Sequence, residues 1–193
     1  MVVIKQLPLG TEPPRRIDGR ILCGETVNIR IGRSGVNLFT LSYLPTQGAL
    51  WKTFEPGEAA ERAWQGLLPG AIAWGAFQDE QLSGIALAVP SATCWCELLD
   101  IRVDSAQRRN GIGTMLLDAC RRYARTQGMM GIKATVGDDN PVACQFLEHS
   151  GFTLQGLDRM QMAMTPAERV KPLLHRTCAL FFYQQFGKER EIL

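Results

Sequence analysis

The stretch Ile101-Arg102-Val103-Asp104-Ser105-Ala106-Gln107-Arg108-Arg109-Asn110-Gly111-Ile112-Gly113-Thr114 decides the reading of this chain. Its first three residues have strand character, and a short turn follows, with two arginines and two glycines running into a helix. Such a turn points several backbone N–H groups into one concavity, and the helix N-terminus adds partial positive charge, so phosphate groups bind well there. Gly111 and Gly113 allow a ligand to approach where a β-carbon would obstruct, while Arg108 and Arg109 add formal charge. The alternative is an ordinary turn with two solvated arginines. Two familiar phosphate motifs fail: no Lys precedes Thr114 as a Walker A loop requires, and position 116 is Leu where a Rossmann fingerprint needs its third glycine.

Downstream, strand and helix alternate. Thr114 to Gln127 puts Met115, Leu116, Ala119, Cys120 and Tyr123 on one helical face, and Gly128 is the stop. Arg121, Arg122 and Arg125 read as a solvated face. Gly131 to Val136 alternates as a strand, Asn140-Pro141 supplies an N-cap and a Pro at N1, and Gly151 ends that second helix. Phe152 to Gly156 opens a further strand, Thr165 to Glu168 fits a capping box, and Thr177 to Phe186 is an aromatic-rich strand. Its Phe181, Phe182, Tyr183 and Phe186 are a candidate homodimer surface.

Upstream, residues 1–7 alternate weakly and Leu9 to Asp18 is turn-rich. Ile21–Ile31 and Val36–Tyr43 suggest a hairpin, Pro56 to Leu68 a helix, and Ala71–Phe77 with Leu82–Val89 a second hairpin joined through residues 78–81. Thr93 to Val103 reads as one long strand. The expected fold class is mixed α/β (α+β) in a single domain over 1–193.

The turn and its surroundings resemble motif A of the GNAT superfamily of N-acetyltransferases, [RQ]-x-x-G-x-[GA], here Arg108-Arg-Asn-Gly111-Ile-Gly113. The likeness runs from ELLDIRV (97–103) through the helix and the strand GIKATV to Asn140-Pro-Val-Ala143-Cys-Gln-Phe146-Leu147 and Gly151-Phe152. Within that superfamily, Gly151 to Asp158, Leu50 to Phe54 and Ala179 to Phe181 look like segments of the streptothricin acetyltransferases. The resemblance implies a mixed central sheet of about seven strands flanked by helices and splayed at an acetyl-coenzyme A site. It implies a donor half near 93–193 and an acceptor-side half near 1–92. It implies acetyl-coenzyme A as co-substrate and a small-molecule or protein amine as acceptor, with no metal. Ile101, Arg102 and Val103 would pair with the pantetheine, Arg108, Arg109, Asn110, Gly111, Ile112, Gly113 and Thr114 would hold the pyrophosphate, and Asn140 would reach the thioester arm.

For the proton on the acceptor amine, whose pKa is ~10.4 as an alkylammonium, two carboxylates are candidates. Glu97 matches the general-base position of the histone-acetyltransferase branch and, on a regular strand, shares a face with Leu99, Ile101 and Val103. Asp100 matches an acidic position of the streptothricin branch, on the opposite face unless a bulge intervenes. Many members place a tyrosine at position 147 to protonate the departing thiolate. This chain has Leu147 there, so Tyr183 is the candidate substitute acid.

Whole-chain composition sets the frame. In 193 residues, 46% are hydrophobic and 21% charged, and the net charge is +2, too small to argue for nucleic acid or a membrane surface. The first ten residues lack the pattern of a signal peptide, no apolar run approaches the ~20 residues of a membrane span, and a soluble, cytoplasmic protein is expected. The six cysteines include C-x-C at 94–96 but no C-x-x-C, and with two histidines in the chain they read as small buried thiols rather than a zinc site. Trp64, Trp74 and Trp95 read as core, and Trp51 as a loop residue before the first helix.

Overall fold

A computed structural model describes residues 1–10, 17–32, 38–161 and 177–187. The candidate capping box at 165–168 lies outside them. The main sheet has seven strands in the order β1-β4-β5-β6-β7-β9-β8. They are β1 (Val2–Leu7), β4 (Ile72–Gln78), β5 (Gln81–Pro90), β6 (Cys96–Val103), β7 (Gly131–Gly137), β8 (Thr153–Asp158) and β9 (Ala179–Gln185). All described neighbours pair antiparallel except β6 and β7, which run parallel. A separate two-stranded ribbon joins β2 (Ile21–Ile31) to β3 (Phe39–Lys52). The helices are α1 (Glu58–Trp64), α2 (Ile112–Thr126) and α3 (Pro141–His149).

Local chemistry explains the boundaries. The β4–β5 hairpin turns on Asp79 and Glu80, both at positive φ (48° and 65°), a tighter connection than the four residues expected. Helix α2 stops where Gly128 takes φ 66°. Helix α3 starts on Asn140, whose side chain accepts the Ala143 N–H at 3.1 Å, with Pro141 in the first turn.

The sheet separates two apolar layers. On one face α2 and α3 bury Leu116, Leu117, Cys120, Cys144 and Leu147 against Ala86, Ala88, Leu98, Ile132, Leu180 and Phe182. On the other, α1 packs Ala60, Ala63 and Trp64 on Ala73, Ile85 and Leu87, joined by Ile17. The ribbon leans on α3 through Tyr43 Oη, which donates to Glu148 Oε2 at 2.5 Å, and through Gln145 Nε2, which donates to Glu25 Oε2 at 2.6 Å.

Three expectations change. Trp51 is in β3, opposite Leu22, not in a loop, and it is 60% exposed. Arg121 is no solvated residue: it is mostly buried, donating to Gln184 Oε1 (2.8 Å), Asp118 Oδ1 (2.7 Å) and Ser150 O (2.5 Å), so it ties α2 to α3 and β9. Strand β9 is flanked by β7 and β8, with Phe182 fully buried and Phe186 under the Arg125 guanidinium at 4.2 Å. The candidate dimer surface therefore has no free strand edge. Strand β6 begins at Cys96 rather than Thr93, after a turn in which Cys94 takes φ 60°.

Candidate active site

Strands β6 and β7 stay together for only three register pairs, Cys96–Ile132, Glu97–Lys133 and Leu98–Ala134. Beyond Leu98 they diverge, and from Asp100 to Val103 β6 has a strand partner on the β5 side alone. The divergence starts at a bulge: Leu98 opposes Ala88 and Asp100 opposes Leu87, so Leu99 is the extra residue. A strand edge opened in this way offers amide donors and acceptors to an extended ligand.

The bulge also reassigns the carboxylates. Cross-strand partners share a face. Asp100 and Arg102 oppose Leu87 and Ile85, so they face the α1 side, as does Glu97, whose neighbours Cys96 and Leu98 face α2. Ile101 and Val103 oppose Ala86 and Gly84 on the α2 side. The expected sharing of a face between Glu97, Ile101 and Val103 is thus corrected: Glu97 and Asp100 look the same way, and the two branched residues look the other.

Glu97 is engaged by Lys133, with Oε2 2.9 Å from Nζ. The side chain of Asp100 is 9% exposed and accepts from Arg102 Nε at 2.9 Å. Burial pushes its carboxyl up from the ordinary value and the Arg102 charge opposes this. Arg102 Nη2 stands 2.7 Å from the same oxygen without hydrogen-bond alignment, a buried donor with spare capacity. Tyr183 pairs with Lys133 and Thr153 and meets the Trp95 ring edge-on at 5.0 Å between centroids, at the paired end of the β6–β7 junction.

Past the divergence the opening deepens into a cavity of about 420 Å³. Ile101, Arg102, Val103, Arg108, Arg109, Gly111, Ile112, Gly113 and Thr114, all candidates from the sequence, line it. Three arginines and no carboxylate are in the lining, beside Ile21, Val142 and Phe146, which suits a ligand with an anionic end and an apolar arm. Helix α2 has no side-chain cap. Its first N–H groups, which have no intrahelical acceptor, therefore gain none from a capping side chain either, and they belong to Ile112, Gly113 and Thr114 in the lining.

The glycines divide their work. Gly111 holds φ 75°, whereas a β-carbon on Gly113 would lie 3.2 Å from Phe146 Cε2, so Gly113 seats α2 against α3. Arg108 turns inward: Nε donates to Val103 O at 3.0 Å and Nη2 to Asp18 O at 3.4 Å. Burial lowers its pKa from the ordinary value, opposed by Asp18 and Asp104. It braces the turn as well as charging it.

Asn110 and Asn140 are not in the lining, and Asn140 spends its carbonyl oxygen on the α3 cap. Leu147, 2% exposed, is a core residue. Cys144 beside it is a buried thiol pushed up to about 12 by desolvation. Residues not anticipated are Gly19, Ile21 and Gln107, and Val142, Ala143, Gln145, Phe146 and His149 along α3. The α3 set has a signal in its helical spacing from Asn140. Gly19 and Ile21 have none, because nothing local in the sequence sets them beside residues 101–103, which lie some eighty positions later.

Comparison with known proteins agrees with this architecture. The sequence profile of the acetyltransferase (GNAT) family matches residues 37–152. Streptothricin acetyltransferase of Escherichia coli is 25% identical over 119 residues, 60% of this chain and 63% of that protein, so the matched region spans less than two thirds of the relative. Two solved structures share the fold over 96% of this chain. One is a streptothricin acetyltransferase candidate from Bacillus anthracis in complex with acetyl coenzyme A, with TM-score 0.75, 20% identity and 100% of that chain covered. The other is nourseothricin acetyltransferase, with TM-score 0.73, 21% identity and 99% covered. With a family profile spanning more than half its length and a seven-stranded sheet that parts at the β6–β7 junction, the chain belongs to the acetyltransferase (GNAT) family.

Proposed function

We propose that the protein transfers an acetyl group from acetyl-coenzyme A directly to a primary amine. The observation that carries this reading is the wedge between β6 and β7 leading into a cationic cavity at the start of α2. The pantetheine would lie along the open edge of β6 and the pyrophosphate at the turn 108–114. No described group of three or more acidic, His or Cys side chains could hold a metal ion.

The acceptor would approach from the α1 face, toward which Asp100 is turned at the point of divergence. Asp100 is the better placed of the two carboxylates to take the ammonium proton, directly or through water, because a raised carboxyl pKa makes a stronger base. Glu97 sits within the paired stretch and is held by Lys133. The thiol of coenzyme A has a pKa close to that of cysteine, ~8.5, so the thiolate departs without an acid at position 147. Within this reading the acceptor is a streptothricin-like antibiotic amine, after the relatives named above.

The test is thiol release from acetyl-coenzyme A over a panel holding streptothricin, a polyamine, free lysine and a lysine peptide. Release with streptothricin at kcat/KM at least about tenfold above the other amines is expected, a margin within reach of a site that hydrogen-bonds its substrate. Release with another amine alone keeps the transferase and removes the antibiotic. Coenzyme A binding without release from any of them leaves a binding protein instead.

A further inference from the structure

We propose that the Asp18 carboxylate is a positioning group that, through its bond to the Ser105 hydroxyl, clamps the anion-binding turn to the segment entering β2, and so sets affinity for the phosphate end of the acyl donor. This rests on the acetyl-coenzyme A reading above and deepens it.

Asp18 meets the turn at four points, although 86 residues separate it from Asp104. Its N–H donates to Asp104 Oδ2 at 3.1 Å, and its carbonyl accepts from Ser105 N at 3.0 Å and Arg108 Nη2 at 3.4 Å. Its carboxylate Oδ2 accepts the Ser105 hydroxyl at 2.7 Å. Asp104 Oδ1 in turn caps Ala106 N at 3.0 Å, so the clamp holds the residue that starts the turn. The segment itself is anchored by Ile17, 8% exposed against Trp64 and Leu87. One residue past the clamp, Gly19 lies on the cavity wall against Arg102 Cδ, and Ile21 lines it too.

A carboxylate beside an anion site would repel its ligand. Arg20 removes that objection by gripping both oxygens at 2.8 Å while its guanidinium lies 5.7 Å from the Trp51 ring centroid. The pair is close to neutral, and the hydrogen bonds to the turn remain. A turn ordered in advance loses less entropy when the phosphates bind. The clamp therefore acts on donor affinity rather than on the chemical step, and only on donors that have phosphates.

The experiment compares Asp18→Ala, Asp18→Asn and Ser105→Ala, using coenzyme A binding by calorimetry and steady-state kinetics with acetyl-coenzyme A and with acetyl-pantetheine, which lacks the phosphates. Asp18→Ala should raise the coenzyme A Kd and the acetyl-coenzyme A KM about tenfold while kcat at saturation stays within about twofold. Ser105→Ala should give about threefold, and the double variant no more than Asp18→Ala alone, since both remove one shared bond. Asp18→Asn, which keeps an acceptor for Ser105, should recover to within about threefold. With acetyl-pantetheine all variants should match the unaltered protein. An unchanged Kd, or equal losses with both donors, would overturn the clamp. If Asp18→Ala fails to fold, Ser105→Ala decides by the same two donors. Absence of coenzyme A binding in the unaltered protein would overturn the acetyltransferase reading itself, an outcome distinct from normal binding that the variants leave untouched.

Discussion

At the scale of single residues, one extra residue in β6 does the most. Leu99 is accommodated as a bulge, and from there on the strand presents Asp100 and Arg102 where a regular strand would present Ile101 and Val103. Asp100 and Glu97 then become rivals on one face, and their environments separate them. Asp100 is buried and raised, whereas Glu97 is 32% exposed and paired with Lys133. Asp100→Asn should lower kcat by roughly a hundredfold, within the range general-base removal produces. It should also abolish the acidic limb of the kcat/KM profile, which in the unaltered protein lies above the ordinary carboxylate value. Glu97→Gln should keep that limb and lose less than about threefold, the scale of a partly exposed ion pair. A pH–rate series on both variants decides; an intact acidic limb in Asp100→Asn would return the role to Glu97.

At the scale of elements, each helix start serves the cavity in its own way. Helix α2 leaves its first N–H groups uncapped beside the cavity, while α3 is capped by Asn140. Asn140→Ala should cost about 1 kcal/mol of stability, and Asn140→Asp, an equally good cap, should restore it. Urea midpoints measure this. An acetyl-coenzyme A KM that is normal in Asn140→Asp would show that the side-chain NH₂ makes no contact with the donor. This cap was legible in the sequence because Asn-Pro ahead of an apolar stripe is a local signal, as were Gly128 after α2 and the strand alternation of β7. The bulge was not legible, since it exists only in the pairing of β6 with β5. Nor was Trp51 in a strand: Pro45 and Gly48 read as breakers, yet β3 runs past both in a ribbon whose register slips beside Gly24. The turn residues 108–114 read as a candidate anion site from sequence alone, whereas Arg108's bonds to Val103 O and Asp18 O depend on contacts no local pattern encodes.

At the scale of the whole molecule, burial sequesters nearly every thiol, four of them in the layer under α2 and α3. Cys23, Cys96, Cys120, Cys144 and Cys178 are buried, and Cys94 alone is exposed. Desolvation pushes Cys96 and Cys144 up to about 12, so they remain protonated and shielded. Native protein at pH 8 should release one equivalent rapidly to a disulfide reagent, a Cys94→Ser variant none, and urea-unfolded protein all six. Buried native thiols hold protons that unfolded thiols lose near the ordinary cysteine value of ~8.5. Stability from this source is complete below that value and falls as pH rises toward about 12. Urea midpoints should decline from pH 9 to pH 11. At this scale the first part of the chain also reaches the cavity, because Gly19 and Ile21 stand in the same wall as Val142 and Phe146.

The place of β9 between β7 and β8 has a consequence for how the chain is made. During vectorial synthesis β8 leaves the ribosome before its only described sheet neighbour exists, and β7 waits with an open edge until residue 185 has emerged. Until then the nascent chain has a docked β6–β7 junction but nothing holding β7 from its far side. The far edge of β7, the strand that α3 directly follows, is therefore closed only once β9 has emerged and paired with it.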